Sequence, residues 1–182
     1  MRISFVSGNA HKAVEVAAFF GGAIDITHVP LDIPELRSDN VGTIAREKAK
    51  YAFTHLKTPV IVDDTGFMID ALNGFPGPYA AYVLATIGNA GILKLMDTIP
   101  DRNARFTTAI AYADAQEIMV FPSTIEGRIT TTPRGTGGFG FDPIFEVDGK
   151  TLAEIPLDKK SKISHRALAL TAFRDWFVKN HL

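Results

Sequence analysis

The segment Val60-Ile61-Val62-Asp63-Asp64-Thr65-Gly66 organises the interpretation of the whole chain. Its three β-branched apolar residues follow Pro59 and predict a strand that is buried on both faces. Such a strand delivers two carboxylates, a hydroxyl and a glycine to its carboxyl end, where α/β sheets bind their ligands. Because neighbouring strand residues point to opposite faces, we expect one of Asp63 and Asp64 to do chemistry. The other would position its neighbour or satisfy the backbone; a strand followed by an acidic turn is the alternative.

Composition limits the class of protein. The chain has 182 residues, 46% apolar and 21% charged, which suits one soluble globular domain over residues 1–182. A formal net charge of −1 predicts no nucleic-acid or membrane partner bound by bulk electrostatics, so an anionic ligand needs locally placed cations. The absence of cysteine excludes disulfides, thiolate chemistry and cysteine-bound zinc. We see no signal peptide or membrane span and expect a cytoplasmic protein.

The N-terminus predicts a strand, a glycine loop and a helix. Residues 3–6 are apolar enough for a strand, Gly8 breaks it, and Asn9 can cap a helix that begins at Ala10. A helix N-terminus offers unpaired N–H groups and a partial positive charge to an anion. Lys12 in the first turn opposes the helix dipole, a conflict that a bound phosphate removes. A solvated lysine is the alternative for this residue.

The next segments carry acids in a loop and a lysine on a helix. Residues 24–29 predict a second strand, and the loop after it carries Asp32 and Glu35, either of which could help bind a hard cation or simply be solvated. A long helix is expected from about Asn40 to residue 56. Lys48 lies at the edge of its apolar stripe, where it either reaches water or points at a ligand in a cleft.

The remaining pattern predicts an α/β domain with a mixed sheet. The order β-α-β-α-β is followed by short helices at 79–85 and 90–96 and by antiparallel strands within 105–131. A closing helix begins at about residue 164, with an apolar stripe that includes Ile163 and leaves His165 and Arg166 off the buried line. The eight residues 159–166 are rich in cationic and hydrogen-bonding groups, which suits either a solvated helix start or the binding of an anion or a heteroaromatic base.

Residues 135–140 match the pattern G-x-G-x-x-G, yet they do not predict a dinucleotide site. That fingerprint opens a helix, whereas Pro143 pushes Asp142 out of helical geometry. A glycine-rich loop lets a backbone approach a planar ligand, on which Phe139 would stack and from which Asp142 would accept hydrogen bonds. A glycine turn beside a core phenylalanine is the alternative.

Five motifs occur in order along the chain: S-G-N-x-x-K at 7–12, D-D-T-G at 63–66, G-F-P-G-P-Y at 74–79, F-G-F-D-P-I-F at 139–145 and K-x-K-I-S-H-R at 160–166. Together they resemble the inosine triphosphate pyrophosphatase family. The resemblance implies an elongated, two-lobed mixed α/β fold around a central cleft, usually as a homodimer. It also implies Mg²⁺-dependent cleavage of ITP, dITP and XTP between the α- and β-phosphates.

The resemblance implies a role for each matching residue. Asp64 resembles the catalytic acid that also meets the metal, and Glu35 a metal-associated glutamate. The implied substrate-binding residues are Ser7, Gly8, Asn9, Ala10, His11, Lys12, Lys48, Thr65, Phe139, Gly140, Phe141, Asp142, Lys160, Ser164, His165 and Arg166.

The chain departs from the family pattern in three places. Phe141 replaces a more usual tyrosine or tryptophan, Ser161 replaces a common asparagine, and Ala80-Ala81 stand where a basic residue is frequent. Two other functions are alternatives: a non-catalytic triphosphate sensor, and a pyrophosphatase for modified pyrimidine triphosphates. A sensor would need only the cations, so it leaves the acids of this chain unexplained. A pyrimidine enzyme would lack the F-G-x-D and S-H-R motifs, which this chain contains.

Overall fold

A computed structural model describes residues 2–22, 24–34 and 36–181. The strands are β1 (Arg2–Val6), β2 (Asp25–Val29), β3 (Val60–Ile69), β4 (Pro76–Gly77), β5 (Asn103–Ala113), β6 (Ile118–Ile129), β7 (Phe145–Val147) and β8 (Lys150–Thr151). The helices are α1 (Ala10–Phe20), α2 (Val41–Leu56), α3 (Ala80–Thr86), α4 (Gly88–Leu95), α5 (Leu157–Ile163) and α6 (His165–His181). Short 3₁₀ turns span Asp70–Leu72, Asp142–Ile144 and Leu152–Glu154.

The strands form one mixed sheet, as the sequence predicts. Its order is β2-β1-β3-β5-β6-β7-β8, with β4 paired to β3. β1 is parallel to both β2 and β3, whereas β3, β5, β6, β7 and β8 follow one another antiparallel. The helical crossovers α1 and α2 produce the parallel part. In the antiparallel part, short turns join β5 to β6 and β7 to β8, whereas the segment with α3 and α4 joins β3 to β5.

The central strand is longer than predicted. β5 pairs with β3 along its whole length, from Val60 to Ile69, so the strand does not end at Asp63. β1 pairs with β3 only as far as Val62. The expectation that the two acids follow the end of their own strand is therefore wrong. They lie in the middle of β3, at the point where the parallel neighbour stops and leaves the sheet face open.

The start of the closing helix also differs from the prediction. Ser164 has an extended backbone, with φ −71° and ψ 160°, and separates α5 from α6. The 3.6-residue periodicity of the closing helix therefore begins at His165, and α5 does not continue it. Ile163 is consequently 50% exposed, while His165 and Arg166 are 3% and 2% exposed. The prediction that these two residues lie off the buried line is wrong.

Three clusters of apolar side chains give the molecule two lobes. In the first lobe, α1 and α6 cover one face of the sheet around Phe5, Tyr112 and Phe173, and α2 covers the other face. The second lobe packs around Phe67 and Phe106, which belong to the far ends of β3 and β5. The long strands β3 and β5 therefore join the lobes, and the acids of β3 lie between them. No helix in residues 2–22, 24–34 and 36–181 has the length and apolar character to cross a membrane.

Candidate active site

A cleft of about 850 Å³ opens beyond the end of β1. The loop after β1 forms one wall, α2 and the loop before it form another, and β3 forms the floor. Predicted site residues that line it are Ser7, Gly8, Asn9, Lys12, Lys48, Asp64 and Thr65, together with Asp63. The structure therefore brings residues from two distant motifs, together with Lys48 of α2, to one cavity.

The loop between β1 and α1 is held by its own side chains. Asn9 caps α1, because its side-chain oxygen accepts hydrogen bonds from the backbone N–H groups of His11, at 2.9 Å, and Lys12, at 3.4 Å. Ser7 Oγ accepts from the Asn9 N–H at 3.1 Å. The His28 ring nitrogen Nε2 lies 2.8 Å from the Ser7 carbonyl oxygen, to which it donates. These bonds shape the loop before any ligand binds.

Lys12 points into the site and not into solvent. Its side chain is 17% exposed, it forms an ion pair with the Asp63 carboxylate, and its Nζ donates to the Asp63 carbonyl at 3.4 Å. Lys48 Nζ likewise donates to Asp64 Oδ1 at 2.9 Å, and the two side chains are 14% and 11% exposed. The structure therefore shows both lysines paired with aspartates in the site, and the alternative that they are solvated is wrong.

The two adjacent acids take different partners, as strand alternation predicts. The Asp63 side chain is fully buried and accepts from Arg166 Nε at 2.7 Å. Burial disfavours its charged form, but the charges of Arg166 and Lys12 outweigh burial and hold the pKa of Asp63 below its ordinary value. For Asp64, burial raises the pKa, and Lys48 only partly opposes it. Of the two acids, Asp64 has the carboxylate that reaches the cleft.

Glu15 is a central residue of the site that the sequence interpretation missed. It is 7% exposed on α1 and accepts from both Lys160 Nζ, at 2.5 Å, and Arg166 Nη1. Lys160 also donates to Asp142 Oδ2 at 2.6 Å. A signal for this role was available, because Glu15 follows Lys12 by three residues and so shares its helix face.

The glycine-rich loop places Phe139 against His11. The two rings stack with centroids 5.3 Å apart and an interplanar angle of 13°. Lys160 Nζ and Arg166 Cζ lie 5.2 Å and 5.6 Å from the centroid of the Phe139 ring. The Phe139 N–H donates to Asp142 Oδ2 at 2.7 Å, which fixes the loop on the carboxylate that Lys160 also contacts.

The glycines of this loop make room for the chain itself. A Cβ on Gly135, which has φ +83°, would lie 2.6 Å from the Ala153 carbonyl oxygen, and a Cβ on Gly138 would overlap the Asp142 carboxylate. The expectation that these glycines leave space for a planar ligand is not what the structure shows at the two positions.

The remaining predicted residues occupy more buried places. Phe141 is 3% exposed and stacks on Phe67 at 4.8 Å, so it packs in the core of the second lobe and not against the cleft. Ser164 caps α6, accepting from the Ala167 N–H at 3.2 Å. Gly140 accepts from Asn89 Nδ2 at 3.1 Å. Ala10 is the first residue of α1. Glu35 lies outside the residues that the structure describes.

His165 is buried as a neutral imidazole. Its ring stacks on Phe106 at 4.5 Å, and its Nδ1 is buried without a hydrogen-bond partner in the described part of the chain. Burial, and then the nearby charges of Arg166 and Lys160, lower the pKa of His165 well below its ordinary value.

This burial predicts a pH-dependent stability. Below about pH 6.5 the unfolded chain protonates His165 and the folded chain does not, so folding stability falls as the pH falls. Between pH 7 and 5.5 the wild-type protein should lose about 1 kcal/mol more unfolding free energy than His165→Gln, measured by urea titration at both values. The exposed His55 supplies a matched control for the exchange itself, because His55→Gln removes a histidine at the surface and leaves the buried His165 in place. Equal slopes for wild type and His165→Gln would contradict the prediction.

Sequence comparison places the chain among proteins of known name. Residues 3–176 match the sequence profile of the Ham1 family. The chain belongs to the Ham1 family. A Methanopyrus kandleri relative named dITP/XTP pyrophosphatase is 45% identical, with 99% of this chain and 98% of the relative covered. Inosine triphosphate pyrophosphatase 2 of Trypanosoma cruzi is 40% identical, with 97% and 92% covered. The family resemblance stated from the motifs is thereby confirmed.

The Ham1 fold is also seen in solved structures. The Staphylococcus aureus Ham1 protein superimposes with a TM-score of 0.85 at 29% identity, covering 98% of this chain and 99% of that one. A Mycobacterium abscessus nucleoside-triphosphatase, also named dITP/XTP pyrophosphatase, gives a TM-score of 0.72 at 31% identity, with 95% of this chain and 98% of that one covered. The match therefore extends over both lobes of this Ham1 chain.

The carboxylates of the cleft suit a magnesium ion that is shared with a phosphate ligand. The described residues contain no group of three or more His, Asp or Glu side chains placed to hold a metal by themselves. Mg²⁺ is commonly held by one or two carboxylates together with substrate phosphates and waters. The Asp64 carboxylate fits that role, since it faces the cleft and already has a cation, the Lys48 ammonium group, at hydrogen-bond distance.

Proposed function

We propose that this chain hydrolyses non-standard purine nucleoside triphosphates, namely ITP, dITP and XTP, to the monophosphate and pyrophosphate in a Mg²⁺-dependent reaction. It is a nucleoside triphosphate pyrophosphatase, as its curated relatives are named. The placement of Asp64 is the observation that supports Mg²⁺-dependent hydrolysis of these substrates. Its carboxylate lies in a cleft beside two lysines and a capped helix N-terminus, a combination suited to phosphate chemistry.

The triphosphate is expected to bind along the loop after β1. A triphosphate carries roughly four negative charges, whereas Lys12 and Lys48 are each paired with an aspartate before it binds. The phosphates can therefore pair with both lysines, and the Asp64 carboxylate, once released from Lys48, would hold Mg²⁺. The metal supplies charge neutralisation at the phosphates when bound. Asp64 then holds the metal and accepts a proton from the attacking water, whose oxygen bonds to the α-phosphorus as pyrophosphate leaves.

We assign selectivity for the base to the buried group of charges beside the cleft, where α5 and α6 meet the glycine-rich loop. Lys160 and Arg166 donate hydrogen bonds, which suits the six-oxo group of hypoxanthine or xanthine and opposes the amino group of adenine. A site built on such bonds can discriminate by about 10⁴ against a mismatched base. A base that stacks on Phe139 would take the place that the His11 ring now occupies. We propose that guanine is excluded sterically, by a surround that leaves no room for its two-amino group.

A nucleotide panel tests the proposal. ITP, dITP, XTP, GTP, ATP and modified pyrimidine triphosphates are incubated with Mg²⁺, with Mn²⁺ and with a chelator, and pyrophosphate is resolved from phosphate. We expect IMP and pyrophosphate from ITP, little turnover of ATP and GTP, and none with the chelator. Equal hydrolysis of ATP and ITP would refute the base-reading scheme. Tight ITP binding without turnover would make the chain a sensor. Preferred hydrolysis of the modified pyrimidine triphosphates would make it a pyrimidine pyrophosphatase.

We also propose that the protein acts as a homodimer in the cytoplasm. Several large apolar side chains of the α3–α4 region are exposed in the single chain, among them Tyr79 at 48%, Tyr82 at 70% and Leu95 at 47%. Light scattering coupled to size-exclusion chromatography should give twice the 19.8 kDa chain mass. A monomer at micromolar concentration would contradict the assembly without affecting the proposed reaction.

A further inference from the structure

Thr108 is a fully buried hydroxyl residue that the proposed mechanism does not use. It lies on β5 directly opposite Thr65 of β3, and the two Oγ atoms are 2.7 Å apart. Thr65 lines the cleft, whereas Thr108 lies beneath it. The pair is therefore a cross-strand contact between a residue that a ligand can reach and one that it cannot.

The partners of Thr65 determine the direction of that hydrogen bond. Arg166 Nη2 lies 3.2 Å from Thr65 Oγ and can only donate to it. Asp63 Oδ1 lies 3.2 Å away and, paired with Arg166 and Lys12, is a carboxylate that can only accept. Thr65 has one hydroxyl hydrogen, which it donates to Asp63. The remaining contact must then be a donation from Thr108 to Thr65.

We propose that Thr108 is a positioning residue for nucleotide binding: its hydroxyl donates to Thr65 Oγ and so keeps the single hydrogen of Thr65 available to an acceptor. In the ligand-free protein the acceptor is Asp63. With substrate in the cleft it is a phosphate oxygen, and donation from Thr108 makes Thr65 the stronger donor. The inference rests on the proposed function, because it assumes that a triphosphate occupies the cleft.

The same strand provides a matched control. Thr107 is the next residue of β5 and points to the opposite, exposed face, where its Oγ lies 2.9 Å from Thr124 Oγ. Thr107→Val thus removes a cross-strand threonine pair of the same kind outside the cleft. Thr108→Ser keeps the hydroxyl of Thr108 and removes only its methyl group.

The test compares wild type, Thr108→Val, Thr108→Ser and Thr107→Val by steady-state kinetics with ITP and Mg²⁺. We expect Thr108→Val to raise KM about three- to tenfold, the scale of one hydrogen bond, and to leave kcat within about twofold. Thr108→Ser should restore KM, and Thr107→Val should match wild type. A lowered kcat at unchanged KM would indicate a smaller folded fraction and overturn the proposal, as would an unchanged KM.

A binding measurement separates this inference from the proposed function. The Kd of ITP without metal is measured by calorimetry for the same four proteins, with thermal unfolding recorded for each. If wild type binds ITP but does not hydrolyse it when Mg²⁺ is added, the proposed reaction fails, and a weaker Kd for Thr108→Val alone still supports the positioning role. A Kd for Thr108→Val equal to that of wild type overturns that role, and wild type that binds no ITP with or without Mg²⁺ overturns both.

Discussion

Asp64→Asn is expected to lower kcat for ITP hydrolysis by about 10²–10⁴, the scale of a lost general base. The amide keeps the shape of the side chain but cannot accept a proton from water, and it is a weaker ligand for Mg²⁺. Lys12 and Lys48 remain in the cleft, so ITP binding should change far less than turnover. Steady-state kinetics with ITP and saturating Mg²⁺, alongside calorimetric binding, measure the two effects separately.

Asp70 provides the control for that substitution. It lies in the turn after β3, and its carboxylate pairs with Arg105 at 2.5 Å while both side chains are well exposed. Asp70→Asn should therefore keep kcat within about twofold, since surface ion pairs contribute little. Near-wild-type turnover in Asp64→Asn would remove Asp64 from the proposed mechanism, whatever the result for the control.

Glu15→Gln should destabilise the protein by about 3–5 kcal/mol, the range measured when one partner of a buried ion pair is removed. The Glu15 carboxylate lies between Lys160 and Arg166, whose side chains are each 2% exposed. Among the described residues, a neutral amide leaves Lys160 paired with Asp142 and Arg166 paired with Asp63, and removes the carboxylate that both cations share. Urea titration followed by circular dichroism gives the unfolding free energy directly.

Glu47 is the matched control for Glu15. It is also a helical glutamate, but it lies on the exposed face of α2. Glu47→Gln should change the unfolding free energy by less than about 0.5 kcal/mol. A loss of under about 1 kcal/mol for Glu15→Gln would mean that the network does not depend on this carboxylate.

Both predictions depend on a site whose charges balance before a ligand arrives. The carboxylates of Asp63 and Asp64 neutralise Lys12 and Lys48 within the described chain. A magnesium–triphosphate complex brings positive and negative charge together. Its phosphates can pair with the lysines and its metal with an aspartate, so that no charge is left unpaired. This exchange avoids the cost of an isolated buried charge, which would make a permanently cationic cleft expensive to fold.

The sequence by itself determined the local features of this protein. The cap at Asn9, the helix that carries Lys48 and the alternation of Asp63 and Asp64 follow from hydrogen-bonding chemistry and chain periodicity within a few residues. The mixed sheet follows from the order of the elements. The resemblance to the family arises from motifs that are contiguous in the chain.

Tertiary structure alone decided the features that depend on distant partners. β3 continues past Asp64 because β5 supplies its hydrogen bonds, and β5 lies some forty residues further along the chain. Glu15 and Arg166 are 151 residues apart in the chain, so no local sequence pattern indicates that Arg166 neutralises the charge of Glu15. Phe141 packs on Phe67 and not in the cleft because the second lobe offers an apolar surface there. Burial and charge pairing are properties of the assembled lobes, and these decide which polar residues can reach a ligand.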